Sequence, residues 1–530
     1  MAAPGYTTDL AIISTCDTNT AGGTWSEPTN YTVGVAPATE QDYFINGTGC
    51  VSKNQPSTGQ AGIGVLSGAT INVPTDGAVF QWMIFSAPNS LATQAAGGMV
   101  SLIGSTSANY RAFYVRGSDT YQYGGWVCVP CHPSGGVGGV DATQGTPTVT
   151  QYFGMGVNCP TTAPTKGQPQ GIDVIRWGRG AAILSGGDLA NGYCTLSGFA
   201  AVNDTTTNRW GLIQRTDGGY LWQGLMLLGS GSNPVDFRDS NNSVTVADTR
   251  KVTAVFNTIE VRNTGSRVDM TAITIQALGT SSRGRWVTTD NATINKTNCV
   301  FTDMSTLQYQ ASSTLTNCTF RRCDNVIQSG ALFLNCTWDS SFASMSLISN
   351  SPGNIKSCSF TSDGDNHAIQ ITSSGSFSLY GHKYSGYVAG VGGTGSTVST
   401  NAVIYNTSNG PVTCSILGGG DTPSVRNSGS STTLVITGQR TFTLTGMFSG
   451  TEARIYSGST PATFVELTGT EDVGTGGSLS YTYTYAADVS ATIAIFNKSY
   501  LPLYFVYTLQ NSDASVPIQQ TTDRQYYNPP

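Results

Sequence analysis

Asn298-Cys299-Val300-Phe301, Asn317-Cys318-Thr319-Phe320, Asn335-Cys336-Thr337-Trp338 and Ser357-Cys358-Ser359-Phe360 are four copies of one unit, Asn/Ser-Cys-x-aromatic, with successive cysteines 19, 18 and 22 residues apart. Between them a second apolar segment returns, as Leu307-Gln308-Tyr309, Val326-Ile327, Leu347-Ile348 and Ala368-Ile369-Gln370-Ile371. Two short strands per turn of chain are expected. A period of about 20 residues marks a solenoid. The connectors are Ser, Thr, Asn, Asp and Gly runs without helical periodicity, which excludes the helix-bearing leucine-rich repeat. The reading is a right-handed parallel β-helix. Residues two apart on a strand share a face, so each Cys points inward with its aromatic, and successive coils stack about 4.8 Å apart. The expected core is a ladder of Cys299, Cys318, Cys336 and Cys358 beside one of Phe301, Phe320, Trp338 and Phe360, with an amide ladder of Asn298, Asn317 and Asn335 at the preceding corner.

Composition agrees with an all-β chain. Charged residues make up 11% of the 530, while Gly alone numbers 64, so helix-favouring residues are scarce and turn formers abundant. A formal charge of −6 argues against a nucleic-acid partner, whose binding rests on neutralising phosphates. No apolar run reaches the length of a membrane span. The first 20 residues lack the basic and apolar regions of a secretory leader, so the expectation is folding in a host cytoplasm, where the 12 cysteines stay reduced. Among the basic residues 18 are Arg and 7 are Lys, and there are 24 Tyr. Arg and Tyr are enriched and Lys depleted where protein covers protein, so the surface is expected to contact other chains.

Taken in order, residues 1–190 read as a β-sandwich, with strand signals at Ala78–Phe85, Ala112–Val115, Gly125–Cys128 and Gly171–Trp177. Residues 191–410 read as the β-helix, 411–433 as a Gly/Ser-rich linker, and 434–530 as a C-terminal immunoglobulin-like sandwich ending in an extended, proline-bearing tail.

Two stretches of the first domain resemble segments of tailed-bacteriophage virion proteins. They are Arg116-Gly117-Ser118-Asp119-Thr120-Tyr121 with Gly124-Gly125-Trp126, and Gly171-Ile172-Asp173-Val174-Ile175-Arg176-Trp177-Gly178-Arg179-Gly180. The resemblance covers the first 190 residues and recurs at the C-terminus. It implies a lectin-like jelly roll ahead of the β-helix, and a non-enzymatic structural role in the virion, as a tail fibre or tailspike-like protein in host attachment. It also implies a homotrimer among other virion proteins. A capsid decoration or head-fibre protein and a polysaccharide-depolymerising tailspike are the alternatives.

Candidate chemistry is sparse. Cys128-Val129-Pro130-Cys131-His132 has the spacing of a haem attachment site or half a zinc site, with Cys159 available as a further thiol, but the strand-rich context fits a buried strand ending in a Pro turn. The stacked cysteines form a line, whereas zinc needs four ligands converging on a point. No cofactor or metal is expected. Glycan cleavage needs two carboxyls about 5–9.5 Å apart, hence matched registers on neighbouring coils. Counted from the ladder aromatic, Asp303 stands at +2, Asp324 at +4, Asp339 at +1 and Asp363 at +3, and Glu260, Asp290, Asp365 and His367 are scattered. No catalytic residue is assigned. For passive binding of host cell-surface glycan, Tyr121, Tyr123, Trp126 and Trp177 are the candidate contacts.

Overall fold

The computed structural model describes residues 4–523 apart from 56, 75–76, 120–124, 135–139, 162–167, 188–191, 206–207, 248–257, 279–283, 342, 365, 390–392, 395–400, 459–463, 486–487 and 511. The chain divides into two units, residues 1–332 and 333–530. Both are built almost wholly of strands, and each holds part of a parallel β-helix.

The first unit opens with a sandwich. One sheet has six antiparallel strands in the order Ala142–Gln144, Asn109–Arg116, Met99–Thr106, Tyr152–Cys159, Gly59–Ser67 and Gly23–Ser26. The other is organised by the long strand Gln168–Ser185, which pairs antiparallel with Gly5–Ser14, Cys50–Gln55 and Ala78–Phe85, the last pairing in turn with Val127–Cys131. Alternate residues of both sheets, among them Val65, Met83, Phe113, Phe153 and Ile172, fill the core between them. The long strand continues past the sandwich. Its Ala182–Leu184 pair in parallel with Met226–Leu228, so one strand carries the chain into the first coil of the solenoid.

Each coil has three strands where the sequence suggested two. In the first unit Thr293–Thr297 and Ser313–Thr316 lie parallel on one face, Val300–Thr302 and Thr319–Arg321 on the second, and Thr306–Gln310 and Asn325–Ser329 on the third. The strand missed in the sequence is the one before the Asn-Cys unit. Its inward positions mix Ile294 and Leu315 with Lys296 and Ser313, all four buried, so the apolar alternation that reveals a strand is broken there.

A left-handed residue turns each coil between faces. Asn241, Ala272, Asn298 and Asn317 have φ between 53° and 55°. The N–H groups of Asn241, Ala272 and Asn298 donate to Thr271, Thr297 and Thr316 of the next coil at 3.0, 2.9 and 3.0 Å. The second unit repeats the device, with Asn335 donating to Lys356, Ser357 to Tyr380 and Gly381 to Leu417. Asn tolerates this conformation better than most residues, which explains its place at the head of the unit.

The residues that follow the corner point inward. Cys299, Cys318, Cys336 and Cys358 are at most 1% exposed, as are Phe301, Phe320, Trp338 and Phe360. Phe301 stacks on Phe320 at 5.4 Å between ring centroids, and Trp338 on Phe360 at 4.6 Å. The unit extends beyond its four obvious copies, to Ile273-Thr274-Ile275 upstream and to His382-Lys383-Tyr384 downstream, where Tyr384 stacks on Phe360 and His382 Nδ1 accepts the N–H of Cys358.

In the second unit the coils continue through residues 411–433, which the sequence suggested were a linker. Pro411–Leu417 pairs in parallel with Gly375–Tyr380 and with Thr432–Ile436, and Val425–Asn427 with Ile404–Asn406. Apart from Ser415, the Gly and Ser residues lie between the strands, while Val412, Cys414 and Ile416 keep the period-two inward pattern. A second sandwich follows. Gln439–Thr445 pairs with Leu479–Thr484 and Ala514–Pro517, and faces a sheet in the order Val465–Thr470, Glu452–Ser457, Val489–Asn497, Tyr500–Leu509 across a core that includes Phe442, Leu444, Ile455 and Ile493. Residues 515–517, expected in the extended tail, thus belong to a strand of this sandwich, Ala514–Pro517. Among the described residues no helix is long and apolar enough to cross a membrane.

The thiol ladder tolerates no charge. Cys318→Asp is expected to unfold the first unit's solenoid, because a buried unpaired charge costs several kcal/mol, while Cys318→Ser lowers the melting temperature by only a few degrees. Calorimetry of the two variants checks this, and equal melting of the Asp variant and wild type would contradict the inward register.

Lys296 is the one cation inside this stretch of the core among the described residues. Its Nζ lies 3.2 Å from the centre of the Trp286 ring and 3.0 Å from Tyr309 Oη, with the Phe301 ring at 4.6 Å. Burial lowers its pKa from 10.5 to about 7. Between those values the unfolded chain holds a proton that the folded chain does not, so stability rises with pH from about 7 to 10.5. Lys296→Met should remove that slope and raise the melting temperature at pH 7, as read by thermal melts from pH 7 to 9.

Candidate functional site

The strand Ala78–Phe85 has two working faces. Val79 and Met83 enter the sandwich core with Val127, Val129 and Cys131 of the neighbouring strand, whereas Trp82 and Cys128 lie on the other face. Cys128 and Cys131 therefore point to opposite sides of one sheet and do not converge as a metal pair. His132 Nε2 lies 3.1 Å from the carbonyl of Pro74, and its Nδ1 accepts from Ser134. On the outer face Cys128 lies against Gly211, whose φ is +82° and where a Cβ would come within 2.2 Å of the thiol sulfur. Only glycine fits there.

Gly211 belongs to a segment laid over that face. The helix Leu196–Asn203, capped by Thr195 Oγ1 accepting from Gly198 N–H, leads into Asp204–Thr205, which pairs with Asn208–Arg209, and then into the hairpin of Ile213–Thr216 and Gly219–Trp222. Together with the sheet beneath, the segment bounds an open cleft of about 490 Å³, lined by Ile45, Trp82, Trp126, Asp204, Arg209, Gln214 and Arg215.

The cleft is held by its backbone. Arg209 N–H donates to Asn46 Oδ1 at 3.2 Å, and its carbonyl accepts from Trp82 Nε1 at 3.2 Å and from Arg176 at 2.9 Å. The guanidinium of Arg209 is thereby directed to Asp204, 3.9 Å away, whose second oxygen takes the N–H of Arg215 at 3.0 Å. Asn46 is fixed in turn by Asp173. One Asp173 oxygen accepts from the N–H groups of Ile45 and Asn46 at 2.8 and 2.9 Å, the other from Val174. Burial pushes the Asp173 carboxyl up to about 7 against the opposing pull of these donors. Val174 has a φ of +37° at a bulge between Asp173 and Ile175. That conformation is costly for a β-branched residue and marks a place where the fold accepts strain to aim a side chain.

Of the candidate glycan contacts, Trp126 is half-buried in the cleft wall. Trp177 packs instead against the sandwich core, since its neighbours in register, Ala11 and Val79, place it on the inner face. Tyr121 and Tyr123 lie outside the described residues. Arg209, Gln214, Arg215 and Trp82 were not singled out in the sequence. Asp173 and Arg176, which support the cleft, lie within the stretch 171–180 that carries the resemblance.

Four carboxylates of the solenoid are held by arginines. Asp236 and Asp269 stand on neighbouring coils of another face, but out of register with each other, Asp236 opposite Arg267 and Asp269 opposite Arg238. Arg238 grips Asp236 with two bonds of 2.8 and 2.9 Å, and Arg267 reaches Asp269 at 2.7 Å. Asp303 is gripped by Arg322 with two bonds of 2.8 Å, and Glu260 by Arg262. His367 is buried between Ala402 O, Arg426 and the ring of Tyr405, and Asp363 is exposed. Asp365 lies outside the described residues.

No protein-family profile and no curated protein matches the chain. Among solved structures, a catalytic domain of GH87 alpha-1,3-glucanase in complex with tetrasaccharides aligns over 78% of this chain and 85% of that one, at 11% identity and a TM-score of 0.16. At that score the likeness carries no argument about site or activity.

Proposed function

We propose that the chain is a structural component of a tailed-phage particle, of the tail-fibre or tailspike kind, and that it holds host-surface glycan in the Trp126 cleft without cleaving it. The cleft is the observation that carries the glycan reading. Its volume of about 490 Å³ suits a small-molecule subsite, and it joins two indoles to convergent polar groups, the pairing of apolar surface and orienting hydrogen bonds that such sites use. Among the described residues its lining carries one carboxylate, Asp204, where hydrolysis of a glycosidic bond takes two. The virion reading rests on the resemblance of residues 116–126 and 171–180, and on the joining of a sandwich to a β-helix through one strand.

Two measurements test this. Trp126 is only partly buried, so Trp126→Ala is expected to leave the melting curve in place while weakening binding to host capsule or lipopolysaccharide by about tenfold or more, the usual cost of truncating an anchoring Trp. Unchanged binding would remove the cleft from the reading, and new reducing ends in the same incubation would replace it with a depolymerase. The self-assembly proposed with a fibre or spike is a homotrimer. Light scattering should then give about three times the 55.4 kDa chain mass, whereas the mass of one chain would favour a head decoration protein held by the particle lattice.

A further inference from the structure

We infer that the cleft selects anionic saccharides, with a sugar carboxylate, as in a uronate or a sialate, seated between Arg209 and Arg215. The inference rests on the glycan reading above and adds the class of sugar. Among the described residues the charges lining the opening are two arginines and one aspartate. Asp204 is largely committed within the protein, one oxygen to the N–H of Arg215 and the other facing the Arg209 guanidinium. The Arg215 side chain is exposed, and it forms no ion pair among the described residues.

Three further features point the same way. Arg176, only 5% exposed, donates to the carbonyl of Arg209 and places a third guanidinium behind the cleft floor. The carboxyl that faces it, Asp173, is turned toward the N–H groups of Ile45, Asn46 and Val174. Gln214 lines the cleft with a buried Nε2 that has no acceptor among the described residues, so a donor awaits an acceptor oxygen there. Asp217 lies beyond Arg215 in the turn of the hairpin and is not part of the lining.

The guanidinium fork matches a carboxylate with two parallel bonds, and bonds between charged partners are about twice as strong as neutral ones. The chain as a whole carries −6, so its long-range field repels a polyanion. Attraction of an acidic sugar is therefore a property of this cleft and not of general charge.

The test measures binding of the full chain by calorimetry to length-matched oligosaccharides of galacturonate, of glucuronate-containing hyaluronan and of sialic acid, each beside its carboxyl-reduced counterpart, with neutral glucose and galactose oligomers added. The expected result is that the tightest ligand is acidic, that carboxyl reduction weakens it about tenfold or more, and that Arg215→Gln narrows the ratio between the two forms. Raising salt should weaken the acidic ligand and spare the neutral ones. Neutral and acidic sugars binding equally, with both lost in Trp126→Ala, would overturn the anionic selectivity and leave the glycan cleft standing. Binding of none of the set would overturn both.

Discussion

Every coil of the solenoid has to leave one sheet and enter the next without stranding a backbone hydrogen bond, and the left-handed corner residue is what allows it. With φ near 54° the peptide of Asn298 turns its N–H onto the carbonyl of Thr316 one coil away, so the ladder runs on through the bend. Because each corner is the same, each coil resumes its strand in the same register, and like side chains come to lie on like. The stacking of Phe301 on Phe320, and of Trp338 on Phe360, follows from the corner and not from any special affinity of the rings. Where Asn gives way to Ala272 the turn persists, so neighbouring coils enforce it once it is established.

This constraint explains what the sequence disclosed. A corner that favours Asn, Ser or Gly, followed by two inward residues on one strand, leaves a pattern strong enough to read by eye, and it points to the β-helix and to its inward cysteines and aromatics. The third strand left almost no trace, since Lys296 and Ser313 stand at positions where the reader expects an apolar residue. The same blindness made a linker of residues 411–433. Gly and Ser are punctuation in both a linker and a coil, and three alternating apolar residues in Pro411–Leu417 were too few to tip the balance.

The cleft was illegible for a different reason. Its walls come from residues 45, 82, 126, 204, 209, 214 and 215, brought together by a long strand and a covering segment, and no local window holds more than a part of it. Trp126 could be suspected from its type alone. Arg209 could not, because its role depends on a backbone held by Asn46, Trp82 and Arg176 from remote parts of the chain. The stretch 171–180 carries the resemblance, and within it Asp173 and Arg176 serve as positioning residues.

The two buried groups with the largest functional contrast are Lys296 and Asp173. Burial lowers the pKa of Lys296, and its partners are the Trp286 ring of the preceding coil and Phe301 and Tyr309 of its own, all within 13 residues of it in sequence. That is a local accommodation inside a core. Asp173 instead draws in N–H donors 128 and 127 residues away and keeps a strained neighbour to do so. An apolar residue in its place would relieve the desolvation of the carboxyl but leave the N–H groups of Ile45, Asn46 and Val174 without their acceptor. What the arrangement secures is the position of Asn46, through Asn46 the backbone of Arg209, and through Arg209 the charge at the mouth of the cleft. The cost of burying a carboxyl is thus borne where it fixes the geometry of the opening, and that places the organising centre of the first unit at the joint between sandwich and solenoid.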